Sequence, residues 1–135
     1  MKKLLSSRYS ASAFNIALFI LRVGTGILTA NHGFEKLANF KRFNAQFINF
    51  MGMGTKVSLS LAIFAEFFCS ILLILGLMTR LAVIPLIVVM SVATFMVYKG
   101  DVFAKAELPA VFLLAFIAIL FVGPGRISVD SAINK

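Results

Sequence analysis

The sequence predicts an all-α membrane protein, a transmembrane four-helix bundle with an interfacial amphipathic helix between helices 1 and 2. Three observations predict it. Hydrophobic residues make up 61% of the 135-residue chain and charged residues 13%, whereas a soluble domain is nearer half apolar and a quarter charged. A chain this short buries the smallest share of its surface, so the apolar excess must face lipid. The apolar residues also fall into four runs. None of them alternates with the period of two of a barrel strand, and in lipid only helices or closed barrels satisfy the backbone.

The chain reads as a single membrane domain, 1–135, with spans at approximately 11–31, 57–78, 81–98 and 106–123. The first is broken by Arg22, the second contains Glu66, and the apolar run of the third has no charge. The fourth has an apolar run from Leu108 to Val122 that Gly123-Pro124-Gly125 stops. It is short beside the ~20 residues a span needs. Pro109 suits the first turn of a helix, where its missing N–H costs nothing, and Pro85 lies near the start of the third span. Arg22 interrupts the first apolar run and no small-x-small site follows, so the N-terminus is expected to stay uncleaved.

Between the first two spans, over 34–51, Phe34, Leu37, Phe40, Phe43, Phe47 and Phe50 recur every three or four residues. Lys36, Asn39, Lys41, Arg42, Gln46 and Asn49 lie between them. This is an amphipathic helix pattern suited to the membrane interface. It reads either as an anchor for the bundle or as a lid over a lipid-facing site, for example one that admits a quinone.

The net charge is +8. The basic residues flank apolar runs and do not form a patch on a polar domain, so the expected partner is the lipid bilayer with its anionic headgroups, not nucleic acid. Four spans put both termini on one side. Lys2, Lys3, Arg8, Arg80, Arg126 and Lys135 on that side balance Lys36, Lys41, Arg42, Lys56, Lys99 and Lys105 on the other. The leading Lys2-Lys3 then favours a cytoplasmic N-terminus. Cys69 is the only cysteine and His32 the only histidine. An internal disulfide, a C-x-x-C motif and a cysteine- or histidine-based metal site are therefore excluded. No nucleophile–base pair or nucleotide loop is legible, and no catalytic residue is assigned. The chain is not expected to be an enzyme on its own.

Arg22 and Glu66 each fall near the middle of a predicted span. A charge at that depth costs ~2.5–3.5 kcal/mol on insertion scales and should face a partner or water. Their similar depth predicts a structural ion pair, Arg22 with Glu66. Asn15, Arg22, Thr25, Gly26, Thr29 and Gly33 share one side of the first helix, and Ala62, Glu66, Cys69 and Ser70 one side of the second. Ser91, Thr94 and Tyr98 form a stripe on the third. Such a polar core serves either helix register or a binding or proton-handling site. At the membrane edge opposite the termini gather His32, Glu35, Lys36, Lys56, Tyr98, Lys99, Asp101, Lys105 and Glu107. Glu107 beside Pro109 also reads as a helix N-terminus. The candidate ligand-binding residues are Arg22, His32, Lys36, Glu66, Tyr98, Lys105 and Glu107.

Leu21-Arg22-Val23-Gly24, then His32-Gly33-Phe34-Glu35-Lys36-Leu37, resembles the opening of the DoxX family. So does Glu66 followed by Leu75-Gly76-Leu77-Met78-Thr79-Arg80-Leu81-Ala82. Lys105-Ala106-Glu107 and the closing Gly123-Pro124-Gly125-Arg126-Ile127-Ser128-Val129-Asp130 complete the pattern, over about residues 14–130. The resemblance implies a four-helix, multi-pass protein of the bacterial inner (plasma) membrane with a loose link to redox chemistry. Its relatives include subunits of thiosulfate:quinone oxidoreductase. It places Arg22, His32, Lys36, Glu66, Arg80, Lys105 and Arg126 on family positions.

The resulting expectation is an accessory or subunit of a quinone- or sulfur-linked redox system, working with quinone or a redox partner protein. No cofactor is required by the residues. A small-molecule or anion transporter is the alternative, for which a homo-oligomer would supply the symmetry that the chain lacks. A purely structural assembly factor is the third.

Overall fold

The computed structural model of the chain describes residues 2–134 and is helical, with no strand among the described residues. Lys135 lies outside the described residues, as do the side chains of Lys2 and Lys3. A short α1, Lys2–Leu5, precedes α2, Ala11–Ala38, and then α3, Phe40–Gln46. Next come α4, Thr55–Leu75, and α5, Thr79–Val97. The chain ends in α6, Glu107–Val122, and a short α7, Val129–Ile133. The helices α2, α4 and α5 are long and apolar enough to cross a membrane, while α6, equally apolar, has 16 residues.

Local chemistry sets the ends. Ser10 caps α2, its side chain accepting from the Ala13 N–H at 3.1 Å. Gly76 ends α4 in the left-handed conformation (φ +71°), which glycine adopts without strain. α2 packs along α4, α4 against α5, α5 against α6, and α6 returns to α2. Leu73, Val83, Leu86, Phe116 and Ile119 are fully buried where α4, α5 and α6 meet. The outward residues are apolar too, Leu61, Ile84, Leu114 and Phe121 among them, as a lipid-facing surface requires.

Close approach fixes how α2 lies on α4. A Cβ on Gly26 would stand 3.2 Å from the Ser70 carbonyl oxygen, and one on Gly33 only 2.5 Å from the Phe67 backbone nitrogen. Between them the Thr29 and Ser70 hydroxyls hydrogen-bond at 2.6 Å. Rising residue numbers on α2 thus meet falling numbers on α4, and the pair is antiparallel.

The expectation of one continuous amphipathic helix over 34–51 is corrected. Phe34 and Leu37 continue α2, whose 28 residues extend about 42 Å at 1.5 Å per residue. Asn39 ends it, its backbone N–H and side-chain amide both donating to the Glu35 carbonyl. Phe40–Gln46 forms a separate α-helix, and Phe50–Gly52 a single 3-10 turn. Met51, Gly52 and Gly54 have positive φ.

Candidate functional site

A cavity of about 330 Å³ opens where the end of α2, the 43–50 segment, the first half of α4 and the second half of α5 converge. Phe43, Phe47, Leu61, Val92 and Val97 make its wall apolar, and Lys36, Gln46, Ser58 and Tyr98 supply its polar groups. Among the described residues, Lys36 is the only charged side chain that lines it.

Lys36 is positioned by Gly33. With no side chain on Gly33, the α2 backbone rests directly on Glu66 and Phe67. Lys36, one turn further on, then reaches the Glu66 carboxylate and forms an ion pair. The Glu66 side chain is 6% exposed and that of Lys36 20%, so the carboxylate is the buried member and the ammonium faces the cavity. The Lys36 Nζ also lies 5.8 Å from the centre of the Phe47 ring, within cation–π range. Glu66 sits in a π-helical stretch of α4, Phe64–Cys69, and Ala93–Val97 of α5 forms a second. Such bulges recur at functional sites. The hydrophobic pattern carries no sign of them, since one widened turn leaves the apolar run intact.

The expected Arg22–Glu66 pair is corrected here. Glu66 is level with Gly33, and Arg22 lies eleven residues earlier on α2, about 16 Å along the axis. Each charge lies near the middle of its own helix, but the contact of Gly33 with Glu66 and Phe67 offsets the two helices along their axes and carries Arg22 away from Glu66. Arg22 is 2% exposed and instead clasps the C-terminal segment. Its guanidinium donates to the Pro124 carbonyl at 2.9 Å and the Ile127 carbonyl at 2.7 Å. Gly76 must be glycine here, because its φ is +71° and a Cβ would lie 2.5 Å from the Ser128 Cβ as well as 2.6 Å from the Arg22 Nη1.

Asp130 completes this clasp. Its carboxylate accepts from the Met78 N–H at 2.8 Å and the Thr79 N–H at 2.9 Å, at the N-terminus of α5, where negative charge is favoured. Its own N–H donates to the Gly76 carbonyl at 2.9 Å. Burial pushes the Asp130 carboxyl up, but the Thr79 and Met78 hydrogen bonds and the Arg22 charge hold it below the ordinary 3.8. A carboxyl with a depressed folded pKa stabilises the fold above its unfolded value, and that contribution is lost as pH falls through the folded one. Wild-type protein in detergent should therefore lose melting temperature below about pH 4. Asp130→Asn should melt lower at neutral pH and show a smaller acid-dependent loss. An equal acid loss in both proteins would assign it to other groups.

The remaining candidates do not gather at one point. Tyr98 lines the cavity and is partly exposed. His32 packs edge-on against Phe112, ring centres 6.3 Å apart. Lys105 is exposed, and Glu107 is exposed in the first turn of α6. Thr94 is buried on the third-helix stripe while Tyr98 is not. Arg80 donates to the Leu120 and Phe121 carbonyls at the end of α6, and the Arg126 N–H to the Asn15 side chain. Phe43, Gln46, Phe47 and Phe50 belong to the segment read from sequence as an anchor or lid, whereas Ser58, Leu61, Val92 and Val97 on the same wall were missed, because residues from separate helices meet only in the fold. A family model described as DoxX matches residues 17–99 of the 135. No curated protein and no solved structure matches the chain.

Proposed function

The chain belongs to the DoxX family, and on that premise we propose that it is an accessory or subunit of a quinone- or sulfur-linked redox system in the bacterial inner membrane. In this reading its cavity receives a lipophilic, quinone-like molecule. The observation that carries it is the cavity itself, an apolar chamber of about 330 Å³ with one charged group on its wall. Ligand sites are mostly apolar concavities of at least about 300 Å³ with a few fixed polar groups. The wall includes Phe43, Phe47 and Phe50, so the 40–50 segment acts as the cover over the chamber. Lipid would be the route of entry.

The same reading takes α6 as a fourth span. Its 16 residues reach about 24 Å, short of the ~30 Å hydrocarbon core, and Arg80 and the 123–127 turn cover its end. Four spans bring both termini to one face, which Lys2 and Lys3 favour as cytoplasmic. The α3 segment then lies in the opposite interface.

Native mass spectrometry of the protein released from its own membrane tests the site. Wild type should carry a quinone, and Ala93→Phe, which places a ring in the cavity, should lose it while keeping its melting temperature to within a few degrees. A wild-type protein free of any bound lipophile would overturn the ligand-binding reading.

A further inference from the structure

The charge balance of the cavity wall says which head a ligand must carry. Lys36 is the only charged side chain on that wall among the described residues, and Glu66 neutralises it from behind. An ammonium has three donors. One is used by Glu66, and the structure gives Lys36 no other hydrogen-bond acceptor among the described residues, so two N–H groups remain for a ligand. The pair as a whole contributes no net charge.

We infer that this cavity selects lipophiles by head charge, admitting neutral heads that carry a carbonyl oxygen and rejecting carboxylates, because Glu66 has already balanced Lys36. The inference rests on the ligand-binding reading above and deepens it. A carbonyl oxygen accepts one Lys36 N–H without disturbing the ion pair. A carboxylate entering the same place brings a second negative charge to one ammonium. It must either compete with Glu66, leaving that buried group unpaired, or stay unpaired itself. Either outcome is unfavourable, because it leaves one carboxylate without its countercharge, and the Glu66 side chain is only 6% exposed. Gln46, Ser58 and Tyr98, the other polar groups on the wall, carry no positive charge and offer an anion no countercharge. The apolar remainder suits a hydrocarbon tail of either ligand equally, so the head alone decides.

The test uses the purified full chain in detergent and equilibrium retention of three tritiated probes, decylubiquinone, methyl decanoate and decanoate, at neutral pH. Methyl decanoate and decanoate share a tail and differ in head charge. Wild type should retain both neutral probes at least about tenfold more tightly than decanoate, a factor equivalent to 1.4 kcal/mol. Glu66→Gln frees the Lys36 charge and should reverse the order, raising decanoate affinity by at least about tenfold. Lys36→Met in that background should abolish the gain. Decanoate bound by wild type as tightly as its methyl ester would overturn the inference while leaving the cavity a ligand site. So would a folded Glu66→Gln protein with an unchanged order. Retention of none of the probes would overturn both readings together. The wild-type comparison decides the matter even if Glu66→Gln does not fold.

Discussion

Gly33→Ala is expected to destabilise the protein by about 3 kcal/mol or more, with a correspondingly large loss of melting temperature in detergent. The added Cβ would sit 2.5 Å from the Phe67 nitrogen and 2.7 Å from the Glu66 carbonyl carbon. Both are backbone atoms of α4 and neither can swing away as a side chain would. Overpacking a core against adjustable neighbours costs about 1–3 kcal/mol, and here α2 and α4 must separate as a unit. Separation also pulls Lys36 from Glu66, so the ion pair and the cavity wall fail with the packing. Gly24→Ala is the control. Nothing lies within 4 Å of its Cβ position, and replacing an exposed helical glycine should gain about 0.5–1 kcal/mol. If the two variants melt alike, the close approach of α2 and α4 does not hold the helices together.

Arg22→Met is expected to be comparably severe, at about 3–5 kcal/mol. It removes two charge-assisted hydrogen bonds to the Pro124 and Ile127 carbonyls, each worth about 1.5–3 kcal/mol. It also removes the positive charge that faces Asp130. The C-terminal segment should come loose first, because Arg22 is the buried group tying residues 124–127 to α2. Limited proteolysis should then cut near Arg126 in the variant under conditions that leave wild type intact. Hydrogen exchange at the Met78 and Thr79 amides, which Asp130 holds, should rise with it. An Arg22→Met protein with protected 124–134 amides would mean that the guanidinium is not the clasp. A loss of ligand without release of the tail would return Arg22 to the binding site.

The two substitutions strike α2 eleven residues apart, and that separation is the feature hardest to see in the sequence. The spans of α2, α4 and α5 are legible because continuous apolar runs need no partner to be recognised. The buried face of α2 is legible as well, since Arg22, Gly26, Thr29 and Gly33 repeat at helical spacing. Ala62, Glu66, Cys69 and Ser70 do the same on α4, and all four are buried. The partner of each charge is not legible. Pairing depends on the axial offset between two helices, and a shift of one turn moves a side chain by about 5.4 Å. Gly33, Gly26 and the Thr29–Ser70 hydrogen bond set that offset, and their contacts exist only once α2 lies on α4.

The sequence by itself determined that this is a helical membrane protein, because apolar excess and run length are properties of the chain alone. It also carried the family, in motifs whose order survives without coordinates. Tertiary structure decided that Glu66 answers Lys36 and not Arg22, that Arg22 and Asp130 hold the C-terminal segment, and that residues from α2, the 43–50 segment, α4 and α5 enclose one cavity. Burial makes an ionisable side chain find a partner, but helix register chooses which, and register is a relation between helices that no single run of residues contains.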